Sequence, residues 1–207
     1  MNRIPTSNDS LIGFKNCANE SFSETSFIKK LQKSFNPDSF TCQGCSCVGN
    51  CKKSSSYKRY FITPENYNSS NSDDQRINVD CIYCKTCNYH HANLYDMIIP
   101  YRSYSLSFIM QVLSDYAKHN CTIVELCDKW HIAISTLYNW RDTFRRHYQM
   151  WCHAMFLRDK LSDSINQVFN QPNIISDFFN TTSFSFLQPN NKTHSHLSVS
   201  VRRFMPS

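Results

Sequence analysis

Two Cys-x-x-Cys pairs constrain this chain more than any other feature of its sequence. Cys42 and Cys45 form the first pair, and Cys84 and Cys87 form the second after 38 intervening residues. Each pair makes a tight knuckle whose two thiolates point at one ion, so two pairs supply the ligands of a tetrahedral zinc site. Four thiolates leave no position for a catalytic water, which predicts a structural Zn²⁺.

Further ligands near these pairs leave the assignment open. Cys81-x-x-Cys84 overlaps the second pair and offers another register. Other possible ligands are Cys47, Cys51, His90 and His91. We prefer Cys84 and Cys87, because the alternation of Ile77, Val79 and Cys81 makes Cys81 the last inward residue of a strand entering the knuckle. Reduced thiols without metal, a second metal ion and a redox-active dithiol are the alternatives.

The residues between the knuckles predict a small β unit. Runs typical of strands cover residues 57–63 and 76–83, with a polar loop between them. Gly44 inside the first knuckle and Asn88 after the second suit the left-handed turn that each knuckle needs. A unit of this size has little apolar core, so we expect bound zinc to supply much of its folding free energy.

A helical pattern follows the β unit. Apolar residues recur at three- and four-residue spacing over residues 104–118, which predicts an amphipathic helix. Thr122 and Glu125 form a capping-box pattern that predicts the start of a second helix. Ser135 is a favourable N-cap for a third helix. Two short helices joined so tightly are typical of a helix-turn-helix.

The third helix is expected to have a core face and a DNA face. If Leu137, Trp140 and Phe144 face the core, the polar residues at its N-terminal end face solvent and are expected to enter a major groove. His147 and the arginines would then lie near phosphates. The predicted DNA-contacting residues are Ser135, Thr136, Tyr138, Asn139, Arg141, Arg145 and Arg146. Asn139 is expected to read adenine, since its amide both donates and accepts. A three-helix bundle with a solvated basic face is the alternative.

Composition narrows the classes of partner. A formal net charge of +6 favours an anionic partner. Three glycines are too few for phosphate-cradling loops or dinucleotide fingerprints, so no nucleotide cofactor is expected. The N-terminus lacks a signal-peptide pattern and no stretch is apolar enough for a membrane span, which predicts a cytoplasmic protein without a membrane partner. Eleven cysteines in a reducing compartment favour metal binding over disulfides.

The predicted fold class is α+β with irregular termini. We expect a polar N-terminal arm over residues 1–40 with a short helix at 26–35, and a zinc-ribbon-like module over 41–95. A helix-turn-helix domain over 96–170 and an irregular tail over 171–207 complete the chain. Helical spacing that suggests packing or dimerisation continues through Trp151, Met155, Leu161, Ile165 and Val168.

The combined order of motifs is more specific than any one of them. It is carried by residues 42–45, 56–62, 77–94, 99–109 and 134–144. In this order the chain resembles an uncharacterised bacterial family, common in Gram-positive genomes, that joins a zinc ribbon to a transposase-like helix-turn-helix. The resemblance implies that the helix beginning at Ser135 is the recognition helix. It also implies the zinc ligands Cys42, Cys45, Cys84 and Cys87. Residues that depart from the family pattern are Cys47, Cys51, Cys81, Asn88 and His90.

Three functions can be weighed on the sequence. The first is a transposase-like DNA-binding protein that contacts double-stranded DNA, either associated with a mobile element or acting as a small regulator, with a homodimer or a partner protein as further options. The second is a zinc- or thiol-dependent sensor or protein-interaction adaptor without DNA binding, which the surplus cysteines favour. A strand-transfer enzyme is disfavoured, because Asp177 is the one acid after Phe169. We therefore expect no catalytic residues and no enzyme activity.

Overall fold

The structure is a computed structural model that describes residues 23–33, 35–42, 44–94, 97–154, 177–178, 182 and 185–189. Its elements in chain order are α1 (Glu24–Lys33), β1 (Cys51–Tyr60), β2 (Arg76–Cys84), β3 (His90–Ala92), α2 (Leu106–Lys118), α3 (Ile123–Trp130) and α4 (Ile134–Ala154). The predicted α+β class is confirmed.

The three strands form an antiparallel sheet in the order β1-β2-β3. Cys51, the first residue of β1, pairs with Cys84, the last residue of β2, so both cysteine pairs meet at one end of the sheet. β1 begins six residues before the predicted strand. Its lysines and serines are exposed on both faces, so they lack the apolar alternation that identifies a strand.

A bulge in β1 corrects the expected position of Cys81. The register shifts between Lys53 and Ser55. Opposite the bulge, Val79 and Ile82 of β2 are both buried although they are three residues apart. The alternation of inward and outward side chains along β2 therefore shifts by one residue at this point. Cys81 falls between Val79 and Ile82 and is half-buried. The prediction that Cys81 is the last inward residue of the strand was wrong.

Helix α1 packs against the apolar side of the sheet. Ile28 is fully buried in a cluster with Phe61, Ile77 and Val79. The helix lies two residues before the predicted range of 26–35. A proline at position 37 disfavours helical geometry in the preceding residue, which helps to end the helix at Lys33.

The second core lies among α2, α3 and α4. Ser105 caps α2 by accepting a hydrogen bond from the Phe108 amide at 3.1 Å. The Phe108 and Tyr104 rings both meet Trp140 edge-on, with the Tyr104 centroid at 4.9 Å. Aromatic pairs in this arrangement stabilise a core beyond the area that they bury.

Helices α3 and α4 are joined by three residues. Thr122 and Glu125 form the predicted capping box at the start of α3. His131, in the left-handed conformation with φ of 50°, ends α3. The Thr136 amide then bonds the Ala133 carbonyl at 2.9 Å, so α4 begins at Ile134. The prediction that Ser135 is the N-cap was wrong, because the left-handed residue closes the turn early.

Two phenylalanines near the C-terminus belong to the helical core. Phe186 packs edge-on against Phe144, and Phe178 stacks on His147 at 5.0 Å. The Leu187 amide donates to His147 Nδ1 at 2.9 Å. His147 is therefore buried, and the expectation that it lies near phosphates was wrong. Trp151 lies at the end of α4, and the remaining residues of the predicted continuation lie outside the described part of the chain.

The sheet and the helical core are joined by hydrogen bonds. Ile62 forms a parallel bridge with Tyr104, and its amide and carbonyl bond Ser103 and Ser105 at 2.8 Å each. The Arg59 guanidinium donates to the carbonyls of Ile99 and Arg102. The Arg59 side chain is thus used for contacts inside the molecule.

Candidate metal centre and nucleic-acid interface

Five cysteine thiols converge at the end of the sheet. The sulfur atoms of Cys42, Cys45, Cys47 and Cys84 all lie within 4.8 Å of one another. Cys87 Sγ lies 3.6 Å from Cys42 Sγ. The structure thus contains a cysteine cluster that could hold a metal ion.

The distances between the sulfurs can be compared with those of a tetrahedral zinc site. Zn–S bonds of 2.3 Å in a tetrahedron separate neighbouring sulfurs by about 3.8 Å. The Cys42–Cys87 distance is 3.6 Å and the Cys45–Cys84 distance is 3.7 Å, which fit two opposite edges of such a tetrahedron. Cys47 Sγ lies only 3.3 Å from both Cys45 and Cys84. Cys47, and not Cys87, completes the group of four mutually close sulfurs, so the distances admit either thiol as the fourth ligand.

Backbone geometry forms the knuckles. Ser46, with φ of 59°, takes the left-handed turn of the first knuckle that we expected at Gly44, and Asn88, with φ of 56°, takes that of the second as predicted. Gly44 serves a different purpose. A Cβ there would lie 3.3 Å from the Tyr89 ring and 3.4 Å from Cys87 Sγ, so its absence lets the two knuckles approach.

The knuckle amides favour thiolates at two of the cysteines. The Cys87 amide is the main cause that lowers the pKa of Cys84 to about 5. Burial raises the pKa of Cys42, but the amides of Cys45 and Gly44 outweigh it, so the net shift is downward. Because the thiolate is the metal-binding form, this backbone geometry prepares both residues as ligands.

Four further cysteines in the cluster region favour the protonated thiol. Burial is the main cause that raises the pKa of Cys51 to about 12. The Thr86 hydroxyl lowers the pKa of Cys47, but the neighbouring Cys45 and Cys84 sulfurs raise it to about 11. Burial raises the pKa of Cys87. Hydrogen bonds with Cys47 lower the pKa of Cys45, but burial and the Cys87 and Cys42 sulfurs outweigh them, so both of these predicted ligands shift in the same direction as Cys47.

The other alternative ligands lie apart from the cluster. Cys81 pairs with Ser55 and Ala92 in the sheet. His91 is buried between the rings of Phe40 and Tyr89, and within the described residues neither of its ring nitrogens has a hydrogen-bond partner. None of the cysteine or histidine alternatives apart from Cys47 is in the group of mutually close ligand atoms.

Helix α4 has the two faces that its sequence predicts. Leu137, Trp140 and Phe144 are buried. The predicted DNA-contacting residues lie on the other side: four are exposed, and Thr136, Tyr138 and Arg141 are half-buried. Arg141 lies over the Tyr138 ring at 4.6 Å and pairs with Asp142 at 2.8 Å. The exposed residues are Ser135, Asn139, Arg145 and Arg146.

Arg102 orients the side chain of Asn139, which sequence reasoning missed. Its Nη2 donates to Asn139 Oδ1 at 3.3 Å and to the Thr143 hydroxyl at 3.4 Å. Because a guanidinium only donates, it fixes which end of the amide is the oxygen. The Nδ2 group therefore supplies most of the remaining hydrogen-bonding capacity of Asn139. Arg102 lies in a connecting loop, where no helical or strand period marks it.

A family comparison covers part of each of these two regions. The family model that matches is described as a domain of unknown function, DUF6431. The chain contains a DUF6431 domain at residues 45–140. No curated protein and no solved structure matches the chain.

The DUF6431 domain includes the whole sheet and most of the helical core. It begins at Cys45, so it contains three of the four predicted ligands, and it ends at Trp140 inside α4. The arginines beyond Trp140 lie outside the DUF6431 match. Within the described residues no helix has the length and apolar character to cross a bilayer.

Proposed function

We propose that this chain binds double-stranded DNA through a helix-turn-helix formed by α3 and α4. The observation that carries this proposal is the exposed face of α4. Three residues separate α4 from α3, and the exposed face of α4 carries polar side chains in its first turns and Arg145 and Arg146 further along. Short polar side chains suit base edges in a major groove, and arginines suit the flanking phosphates.

In this proposal the cysteine cluster binds a structural Zn²⁺. All of its donors are thiols, and soft thiolate ligands select zinc over hard cations. Cys42, Cys45, Cys84 and Cys87 would hold the ion, which would contribute folding free energy to the end of the sheet. With four thiolates the ion would have no position for water, so its role would be structural.

DNA binding would combine two kinds of contact. Arg145 and Arg146 would contact phosphates without regard to sequence. Ser135, Thr136 and Asn139 would contact base edges, and Tyr138 and Arg141 would flank them. A protein of this kind fits a small regulator or a factor associated with a mobile element, without strand-transfer chemistry of its own.

Fluorescence anisotropy on protein of measured zinc content tests this proposal. Random-sequence duplex DNA is titrated at several salt concentrations with wild type and with Arg145→Ala/Arg146→Ala. We expect the slope of log K against log salt to weaken by about 0.9 for each phosphate that the variant no longer neutralises. Lys118→Ala/Lys129→Ala is the matched control, since both lysines already pair with Asp115. Absence of binding by folded, zinc-loaded wild type at low salt would contradict the proposal.

A thiol-dependent sensor or adaptor without DNA binding is the second candidate. The observation that favours it is the Cys47 thiol, 3.3 Å from Cys45 Sγ. Hydrogen peroxide could oxidise Cys45 and Cys47 to a disulfide, taking two electrons and two protons and becoming two waters. Loss of Cys45 as a ligand would release the metal.

The sensor candidate is tested by following zinc release with a chromophoric chelator during peroxide addition. We expect wild type to release zinc and Cys47→Ser to retain it longer, with Cys121→Ser as an exposed control. Equal release rates in wild type and Cys47→Ser would count against this candidate.

A further inference from the structure

A basic groove lies between α1 and the β1–β2 hairpin. Two adjoining cavities of about 240 and 370 Å³ form it, and they share Lys29, Gln32 and Asn78 in their walls. Lys58 and Asn78 are cross-strand partners on the sheet side. We call this feature the α1 groove. The cations that line it are Lys29, Lys33, Lys53, Lys58 and Arg76.

Carboxylates neutralise only part of this charge. Asp80 pairs with Lys53 at 2.9 Å, and Asp73 lies 3.7 Å from Arg76. They are the two acids in the groove lining. Lys29, Lys33 and Lys58 have no ion pair among the described residues. The α1 groove therefore carries an excess of three positive charges.

The spacing of these lysines favours an external anion. Lys29 and Lys33 are four residues apart on one helix, where like charges lie close together and destabilise the helix. The helix dipole offsets this cost for lysines in the last turn, such as Lys33, but Lys29 lies before that turn. Lys58 adds a third charge from the facing strand. An anion in the groove would relieve this repulsion.

The residues that line the α1 groove suit the phosphate backbone of a nucleic acid better than they suit a small nucleotide. Its apolar residues are Ile28 and Ile77, and within the described residues no aromatic side chain lines it to stack on a base. Its cations are spread over a helix and two strands. Gln32 and Asn78 add neutral polar side chains between them.

We propose that the α1 groove binds the sugar-phosphate backbone of duplex DNA, as a second contact surface separate from α4. This inference rests on the proposed function and extends it to the sheet module. Contacts of this kind raise affinity and fix orientation without reading sequence. The groove therefore adds to the salt dependence of binding and leaves base preference unchanged.

The test compares two double variants with the same change in charge on the same two elements. Lys29→Gln/Lys58→Gln alters the groove. Lys30→Gln/Lys52→Gln alters α1 and β1 at lysines that do not line it. Duplex affinity is measured over a range of salt concentrations, after zinc content and circular dichroism have shown that each variant folds. We expect the groove variant to weaken the salt slope by about 1.8, the value for two phosphates, and the control to weaken it less.

The outcomes separate this inference from the proposed function. A slope reduced in the groove variant alone, with the same preferred sequence as wild type, supports the inference. Equal reductions of the salt slope in the two double variants would indicate a general charge effect and overturn the groove inference, while the proposal of binding through α4 would stand. A groove variant that loses single-stranded RNA binding but keeps its full duplex slope also overturns it. Absence of duplex binding by wild type overturns both proposals.

Discussion

Arg102 shows how one residue can connect distant parts of the molecule. Its guanidinium donates to the Leu187 carbonyl at 2.8 Å and to Asn139 on α4. Its own carbonyl accepts from Arg59 on the sheet. Burial lowers the pKa of Arg102 to about 10, but the group stays charged at neutral pH. It therefore places a fixed positive charge beside the exposed face of α4.

This charge leads to a prediction about base preference. With Arg102 bonded to Oδ1, Asn139 presents donors, so we expect the position that it contacts to favour guanine, whose O6 and N7 accept, over adenine. Arg102→Met frees Oδ1 and is expected to shift the preference toward adenine by about 10-fold. Selection from a randomised duplex library measures the base preference of wild type and of Arg102→Met. Asn139→Ala is the control that should lose preference at that position, and unchanged preference in Arg102→Met would contradict the prediction.

The burial of His147 predicts that the protein becomes less stable as the pH falls into the acidic range. Burial is the main cause that lowers its pKa to about 3, from 6.5 in an unfolded chain. Below pH 6.5 the unfolded chain therefore binds a proton that the folded chain does not, and the free energy of unfolding decreases as the pH falls toward 3. The expected slope is up to about 1.4 kcal/mol per pH unit.

The variant His147→Leu isolates this effect. It removes the proton site and leaves the Leu187 amide without its acceptor, which costs about 1–3 kcal/mol at neutral pH. We expect a shallower decrease in stability between pH 6.5 and pH 4 in urea unfolding. The cysteines titrate in both proteins, so the difference between the slopes belongs to His147. Parallel slopes would contradict the prediction.

The cysteine ligands show what spacing can and cannot predict. Two Cys-x-x-Cys pairs encode their own geometry: the structure places Cys42, Cys45 and Cys84 in one group of mutually close sulfurs, and Cys87 Sγ lies 3.6 Å from Cys42 Sγ. The approach of Cys47 to Cys45 and Cys84 depends on the left-handed conformation of Ser46, which serine does not favour. We expect Cys84→Ser to lower the zinc content below one per chain and Cys81→Ser to leave it at one, as measured by metal analysis. The reverse result would favour the alternative register.

At the scale of elements, regular amphipathic segments were predictable and exposed ones were not. The range of α2 and the capping box of α3 follow from local patterns. β1 has exposed polar residues on both faces, and β3 has three residues, too few to show a period. The packing of Phe178 and Phe186 against α4 has no local signal, because it depends on residues about 35 positions away.

Helix capping gives a prediction at this scale. Thr122 Oγ1 accepts from the Glu125 amide at 3.3 Å, so Thr122→Ala is expected to lower the free energy of unfolding by about 1 kcal/mol. Ser135 lies inside α4, and Ser135→Ala is expected to change stability little. Ala133→Ser would add the missing cap and is expected to stabilise the protein by about 1 kcal/mol. Urea unfolding compares the three, and a larger loss in Ser135→Ala than in Thr122→Ala would contradict this assignment.

At the scale of the whole molecule, the sheet and the helices are expected to unfold together. Ile62 and Arg59 bond the segment that leads into α2, so disorder in the sheet removes hydrogen bonds from the start of the helical core. The three tryptophans all lie in α3 and α4, far along the chain from the clustered cysteines at positions 42–87.

Removal of the metal tests this coupling. We expect a chelator to change tryptophan fluorescence and to lower the unfolding midpoint reported by it, although no tryptophan lies in the cysteine cluster. Readdition of zinc should restore both signals. A fluorescence signal that does not respond to chelation would show that the helical core is stable by itself.

Strand β1 lies at the edge of the sheet and is exposed along most of its length. Such an edge offers unpaired amides and carbonyls to the same edge of another copy, which is how aggregates grow. Lys52, Lys53 and Lys58 place positive charge along this edge, and the bulge after Lys53 interrupts its regular hydrogen-bonding pattern. We therefore expect two copies that approach through β1 to repel each other, which would limit self-association of the protein during folding, before any metal is bound.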